Sequence, residues 1–112
     1  MTGPIYKMFR VGGKEAWYQL SKEEQDAMFA RVDEARKSVG GKVIIYCDSA
    51  WNSEQWLFWG VEEFPSLEAV QEFTKCLLDV SWFRYVESDI LLGTPMPETA
   101  KICHSGKATS IS

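Results

Sequence analysis

Four stretches of the sequence carry side chains able to do chemistry at the spacing of a β-strand. Tyr6, Met8 and Arg10 alternate along Pro4–Val11, and residues two apart on a strand share a face. A guanidinium at Arg10 suits a carboxylate, a phenolate or a developing enolate. It equally suits a rim ion pair with Asp48, Glu87 or Asp89. Tyr46 and Asp48 repeat the spacing within Lys42–Ser49. A phenol there can donate to a substrate carbonyl or act as a general acid, and a desolvated carboxylate can act as a general base. Trp56 and Phe58 supply aromatic surface on a third stretch; Tyr85, Glu87, Asp89 and Leu91 mix polar and apolar groups on a fourth. Read by phase, these residues and Ile44 share one face. The opposite face (Ile5, Phe9, Val43, Ile45, Leu57, Trp59, Val61, Val86, Ile90, Leu92) is aliphatic and aromatic, as a face packed on helices should be.

What is missing bounds the chemistry as firmly. The 112 residues include a single histidine, His104, near the C-terminus. Metal centres and general bases built on imidazole therefore have little to draw on. The 3 cysteines, Cys47, Cys76 and Cys103, are odd in number and form no CxxC pair. They read as reduced thiols, with Cys47 turned toward the helices, rather than as a zinc knuckle or a disulfide framework. No Gly-rich phosphate loop, HExxH or GxSxG occurs. The expectation is chemistry with no metal and no cofactor.

The length is that of one domain, and 46% hydrophobic with 25% charged residues is an ordinary globular composition. Twelve basic against sixteen acidic residues give a net charge of −4, so neither nucleic acid nor an anionic membrane is an expected partner. No apolar run reaches membrane-spanning length, and Met1–Pro4 leads into a strand rather than a signal peptide. A cytoplasmic protein is expected.

The elements that must hold these residues follow from periodicity. Pro4–Val11 reads as a strand ended by Gly12-Gly13, though Lys7 breaks its apolar phase. Ser21-Lys22-Glu23-Glu24 is a capping box. Met28, Val32, Ala35 and Val39 form the apolar stripe of a helix over 21–39, stopped by Gly40-Gly41. Lys42–Ser49 and Trp56–Glu63 read as an antiparallel hairpin across the polar loop that contains Asn52. Ser66 caps a second helix over 66–80 with Leu67, Val70, Phe73 and Leu77 inward. Tyr85–Leu92 is the last strand. Residues 1–95 make the domain, and 96–112 a C-terminal tail.

The order β-α-β-β-α-β predicts an α+β, ferredoxin-like plait: a four-stranded antiparallel sheet with both helices on one face. Strands apolar on both faces need a second cover, and an identical sheet supplies one, giving a homodimer. Element order, the Gly40-Gly41 stop and the passage Glu62-Glu63-Phe64-Pro65-Ser66-Leu67-Glu68-Ala69 make residues 4–95 resemble the dimeric α+β barrel superfamily. That superfamily includes small antibiotic-biosynthesis monooxygenases, polyketide cyclases, muconolactone-type isomerases, haem-degrading enzymes and stress-responsive barrel proteins. The resemblance implies a small-molecule enzyme that oxygenates, cyclises or isomerises a phenolic or polyketide-like substrate in an aromatic cavity, without a cofactor. The cofactor-free monooxygenases of the superfamily use an Asn and a Trp near the start of a middle strand, where Asn52 and Trp56 stand here. With Arg10, Tyr46 and Asp48, Asn52 completes the expected catalytic set. Tyr6, Met8, Trp56, Phe58, Tyr85 and Asp89 are the expected ligand-binding set. The superfamily's haem-handling and polyketide-cyclising members commonly place a histidine on a strand or the second helix, and this chain has none there. The alternative is a non-catalytic barrel that binds a ligand or assembles.

Overall fold

The computed structural model describes residues 2–97. Cys103, His104 and the rest of the expected tail past residue 97 lie outside the described residues. The chain runs β1 (Thr2–Gly13), α1 (Glu15–Tyr18), α2 (Lys22–Ser38), β2 (Lys42–Asp48), β3 (Phe58–Ser66), α3 (Leu67–Asp79), α4 (Trp82–Tyr85) and β4 (Val86–Gly93). The strands form one antiparallel sheet in the order β2-β3-β1-β4. This is the ferredoxin-like plait, with short helical turns, α1 and α4, in two of its connections.

Both long helices start at their caps. Ser21 Oγ accepts from the Glu24 N–H at 3.1 Å, and the Glu24 carboxylate accepts from the Ser21 N–H at 2.8 Å. That N–H holds the Glu24 carboxyl below its ordinary pKa. At the far end Gly40 takes φ +80°. The N–H groups of Gly41 and Gly40 return to the carbonyls of Arg36 and Lys37 at 2.9 and 3.0 Å, the Schellman closure. Ser66 Oγ caps α3 by accepting from Ala69 N at 3.1 Å. The helices cover one sheet face. The core joins Ile5, Phe9 and Val11 of β1 to Met28 and Val32 of α2, Val70, Phe73 and Leu77 of α3, and Trp17, Trp82 and Val86.

β1 keeps the phase read from the sequence, with Met8 and Arg10 on the open face. Lys7, the residue that broke its pattern, is buried among the apolar side chains. β3 has the reverse of the expected phase. Phe58, Gly60, Glu62 and Phe64 pair with Val11, Phe9, Lys7 and Ile5 and face the helices; Trp59 and Val61 pair with Arg10 and Met8 and face away. Gly60 is why the less apolar set turns inward. The Phe9 ring lies over it, and a Cβ there would stand 2.8 Å from that ring. β2 starts in the expected phase and loses it at a bulge between Val43 and Ile45. Val43 pairs with Glu62, but Ile45 and Cys47 pair with the outward Val61 and Trp59. Tyr46 and Asp48 pair with the inward Gly60 and Phe58. One extra residue in a strand produces this inversion, because side chains alternate with period two.

Three boundaries also move. β3 begins at Phe58, leaving Trp56 in the loop before it, and runs on through Pro65 because β1 starts early enough for Thr2 to pair with Ser66. Tyr85 ends α4, part-buried against the core, rather than opening β4.

Gly60→Ala is expected to cost about 1–3 kcal/mol, the scale of overpacking in a filled core. The added methyl would strike the Ile45 carbonyl oxygen as well as the Phe9 ring, and backbone cannot step aside cheaply. Urea unfolding reads this as a lower midpoint at constant slope. A midpoint equal to that of the parent protein would show that the close approach of the Phe9 ring does not require glycine at position 60.

Candidate functional site

The sheet divides the expected site residues into two groups. On the open face Arg10 donates to Asp89 Oδ2 from Nε at 3.1 Å and from Nη2 at 2.7 Å, and its guanidinium lies 4.3 Å from the centroid of the Trp56 ring. Both partners are more than half exposed, so the pair adds little stability. Met8, Trp59 and Leu91 flank it around a shallow cleft of about 270 Å³. Tyr6 stands opposite Glu63, whose carboxylate raises the Tyr6 pKa. Asn52 is exposed in the β2–β3 loop, and its N–H donates to Ser49 O at 3.0 Å.

Tyr46, Asp48 and Phe58 lie on the helix side, where the reversed phases put them. Together with Phe29, Asp33, Cys47 and Leu57 they line an open cleft of about 520 Å³ between α2 and the β2–β3 half of the sheet. Phe29, Asp33, Tyr46 and Phe58 also line a smaller inner cavity of about 40 Å³ that ends at Lys7, Arg36, Glu62 and Phe73. The two spaces share these walls. Their lining is aromatic: Phe9, Tyr46 and Phe58 meet edge to face with centroids 5.6–6.2 Å apart, and Phe58 continues to Phe29 at 5.9 Å. Such edge contacts favour the rings beyond their area alone.

The floor of the inner cavity carries charge. Arg36, only 5% exposed, donates from Nε to Glu62 at 2.5 Å, from Nη1 to Asp33 at 2.6 Å and from Nη2 to the Tyr46 hydroxyl at 2.8 Å. Lys7 Nζ stands 3.7 Å from Glu62 Oε1 and 4.9 Å from the centroid of Phe73. Burial opposes the Arg36 charge, but Glu62, Tyr46 and Asp33 outweigh it and hold the guanidinium above its ordinary pKa. Burial lowers the Lys7 pKa against the pull of Glu62. Burial also raises Tyr46 above the ordinary phenol value, partly offset by Arg36. The Tyr46 ring is half exposed along the cleft while its hydroxyl reaches the buried guanidinium. Because the oxygen accepts from Arg36, the O–H proton remains available to donate elsewhere.

Sequence reasoning missed Lys7, Arg36 and Glu62. The signal was present on each element. Lys7 occupies an inward position of β1, Arg36 follows Val32 by one helical repeat, and Glu62 lies two residues from Phe64 on β3. One charge in an apolar phase is an irregularity, whereas charges of opposite sign in three such phases make a buried network.

Among the described residues no three His, Cys, Asp or Glu side chains come together as a metal-binding group. None of the described helices is long and apolar enough to cross a membrane.

No family model matches the sequence, and no curated protein matches it. Solved structures do match. A protein of unknown function from Rhodopseudomonas palustris, RPA0582, superposes with a TM-score of 0.63 at 19% identity, over 87% of this chain and 85% of that one. Chlorite dismutase from Candidatus Nitrospira defluvii in complex with imidazole gives 0.64 at 17% identity, over 90% of this chain and 47% of that one. A single-residue variant of the same enzyme gives 0.68 at 16%, over 88% and 42%. This chain thus spans less than half of the chlorite dismutase chain. At these identities the shared property is the fold, the ferredoxin-like α+β plait, on which many chemistries are built.

Proposed function

We propose that this protein is a small-molecule enzyme of the dimeric α+β barrel type, acting without a cofactor in the aromatic cleft between α2 and β2–β3. The substrate class is phenolic or polyketide-like, and the reaction an isomerisation, cyclisation or oxygenation that begins by removing a proton. One observation carries this reading: the Tyr46 hydroxyl accepts from the buried Arg36 and keeps its own proton to offer at the neck of an open cleft. Asp48 lies two residues along the same face, roughly 7 Å away at strand spacing, and lines the same cleft. The Asp48 carboxylate takes a proton α to a carbonyl, and the Tyr46 O–H stabilises the enolate oxygen that forms. Phe29 and Phe58 hold the apolar body of the substrate. Arg10, Asn52 and Trp56 stand outside this cleft and take no part in that step. The open sheet face closes on a second copy of the chain.

The test follows the exchange of the α-protons of 2-tetralone in D2O by NMR. The protein is expected to accelerate exchange, and Tyr46→Phe to slow it about 100-fold, at the lower end of what a placed acid contributes. Equal rates for Tyr46→Phe and the parent protein would remove the proposed role of Tyr46. The small inner cavity, about 40 Å³, favours a second reading, a barrel that binds such compounds without turning them over. Saturable binding of 2-tetralone with no accelerated exchange would select it.

A further inference from the structure

We infer that the ligand of the α2/β2–β3 cleft is an aromatic or apolar carboxylic acid, its carboxylate held by Lys7 at the inner end. The inference rests on that cleft being the site proposed above, and it adds the chemical group the site recognises. It begins from an incomplete set of partners. Lys7 is 6% exposed and carries three donors. Glu62 Oε1, its ion-pair partner, stands at 3.7 Å, beyond hydrogen-bond reach. Among the described residues no fully buried side-chain nitrogen or oxygen lacks a hydrogen-bond partner, so the ammonium, which makes no hydrogen bond to the protein, keeps access to the cavity that Lys7 lines. A cation facing a cavity favours an anionic occupant there. Arg36 is better met, because three of its five N–H groups already donate to Glu62, Asp33 and Tyr46.

Charge gives the sign of the missing partner. Lys7 and Arg36 share Glu62, and the second carboxylate of the set, Asp33, is taken by Arg36, so Lys7 is the cation with no carboxylate of its own. The two carboxylates nearer the mouth are already engaged. Asp33, with its side chain 56% exposed, pairs with Arg36, and Asp48 Oδ1 accepts from the Ala50 N–H at 3.0 Å. One anionic group would therefore match the inner end without displacing a protein partner.

Volume gives its size. The inner cavity of about 40 Å³ lies against Lys7 and Tyr46. At roughly 10–15 Å³ for each water-sized occupant, it holds about three heavy atoms, the size of a carboxylate. The walls give the rest of the ligand. Phe29 and Phe58 line both the inner cavity and the outer cleft of about 520 Å³, so an aromatic or alkyl body would extend outward between them.

The test compares 2-naphthoate with its uncharged counterpart 2-naphthalenemethanol by isothermal titration. The parent protein is expected to bind the acid at least about tenfold more tightly, the lower end of a charge-assisted hydrogen bond. Lys7→Met is expected to abolish that preference while leaving the affinity for the alcohol unchanged. Should Lys7→Met fail to fold, the parent protein labelled with 13C-lysine supplies the answer: the Lys7 side-chain resonance is expected to move saturably with the acid and not with the alcohol. Equal affinities for acid and alcohol in the parent protein would overturn the inference and leave the cleft as the site. A preference that survives Lys7→Met, or a Lys7 resonance that stays in place, would overturn it as well. Binding of neither compound would overturn both the inference and the cleft.

Discussion

Glu62→Leu is expected to destabilise the fold by about 3–5 kcal/mol, the cost of leaving buried charges without their partner. The carboxylate is 2% exposed and faces both Lys7 and Arg36. Removing it strands two cations beneath the helices, held by Asp33 at the rim, by the Tyr46 hydroxyl and by the faces of Phe73 and Tyr46. For a domain of this size each kcal/mol shifts the melting temperature by roughly 4–8 °C, so thermal unfolding should show the change directly. The companion experiment removes the whole set at once. A triple variant, Lys7→Met with Arg36→Met and Glu62→Leu, is expected to be far more stable than Glu62→Leu alone, because apolar side chains of similar volume replace the network. If the single variant stays within about 1 kcal/mol of the parent protein, Glu62 is not the counter-charge on which the pair depends. That threshold lies well below the range for a broken buried pair.

The second large effect is expected on assembly. Met8, Ile45, Trp59 and Leu91 are exposed by 39–67% on the sheet face that no helix covers. An apolar patch of this kind on a regular sheet fits an identical copy related by a two-fold axis. Met8 and Leu91 are direct cross-strand neighbours. Met8→Lys combined with Leu91→Glu therefore gives each charge a partner within its own chain and spares the monomer. In a symmetric dimer each substitution appears twice, and four charges would have to enter the interface. Sedimentation equilibrium is expected to give twice the chain mass of 12.8 kDa for the parent protein and 12.8 kDa for the double variant. A parent protein that sediments at the single-chain mass would show that the open face is not covered by a second copy.

The plait was legible in the sequence because its signals are local. The capping box at Ser21–Glu24, the stop at Gly40-Gly41 and the Ser66 cap are short-range chemistry, and each helix starts and ends within a residue or so of where they put it. Which strand faces point inward was only partly legible. On β1 and β4 the apolar alternation and the register agree. On β3 the residue that decides is Gly60, which matters for the ring it admits from β1, a contact fifty-one positions away (60 − 9 = 51). On β2 the bulge depends on pairing with β3 and leaves no mark in the order Val43-Ile44-Ile45-Tyr46. The expected site residues therefore split across the sheet: Tyr46, Asp48 and Phe58 went to one side, Arg10 and Asp89 to the other. The rim pair of Arg10 with Asp89 was among the partners its chemistry allowed. The buried Lys7–Glu62–Arg36 network was written in the sequence as three separate irregularities, and only the fold shows that they are one.

The bulge in β2 has an evolutionary consequence. Ile44 is the one residue of the strand without a partner on β3, and the pairing on either side of it is that of a straight strand. Loss of its codon would straighten β2 and still leave Tyr46 opposite Gly60 and Asp48 opposite Phe58, on the cleft side. A gain of one codon in a straight-stranded ancestor is absorbed in the same way, as the bulge. Lineages built on this plait can thus add or drop a residue at this point without carrying the polar groups of the cleft to the open face.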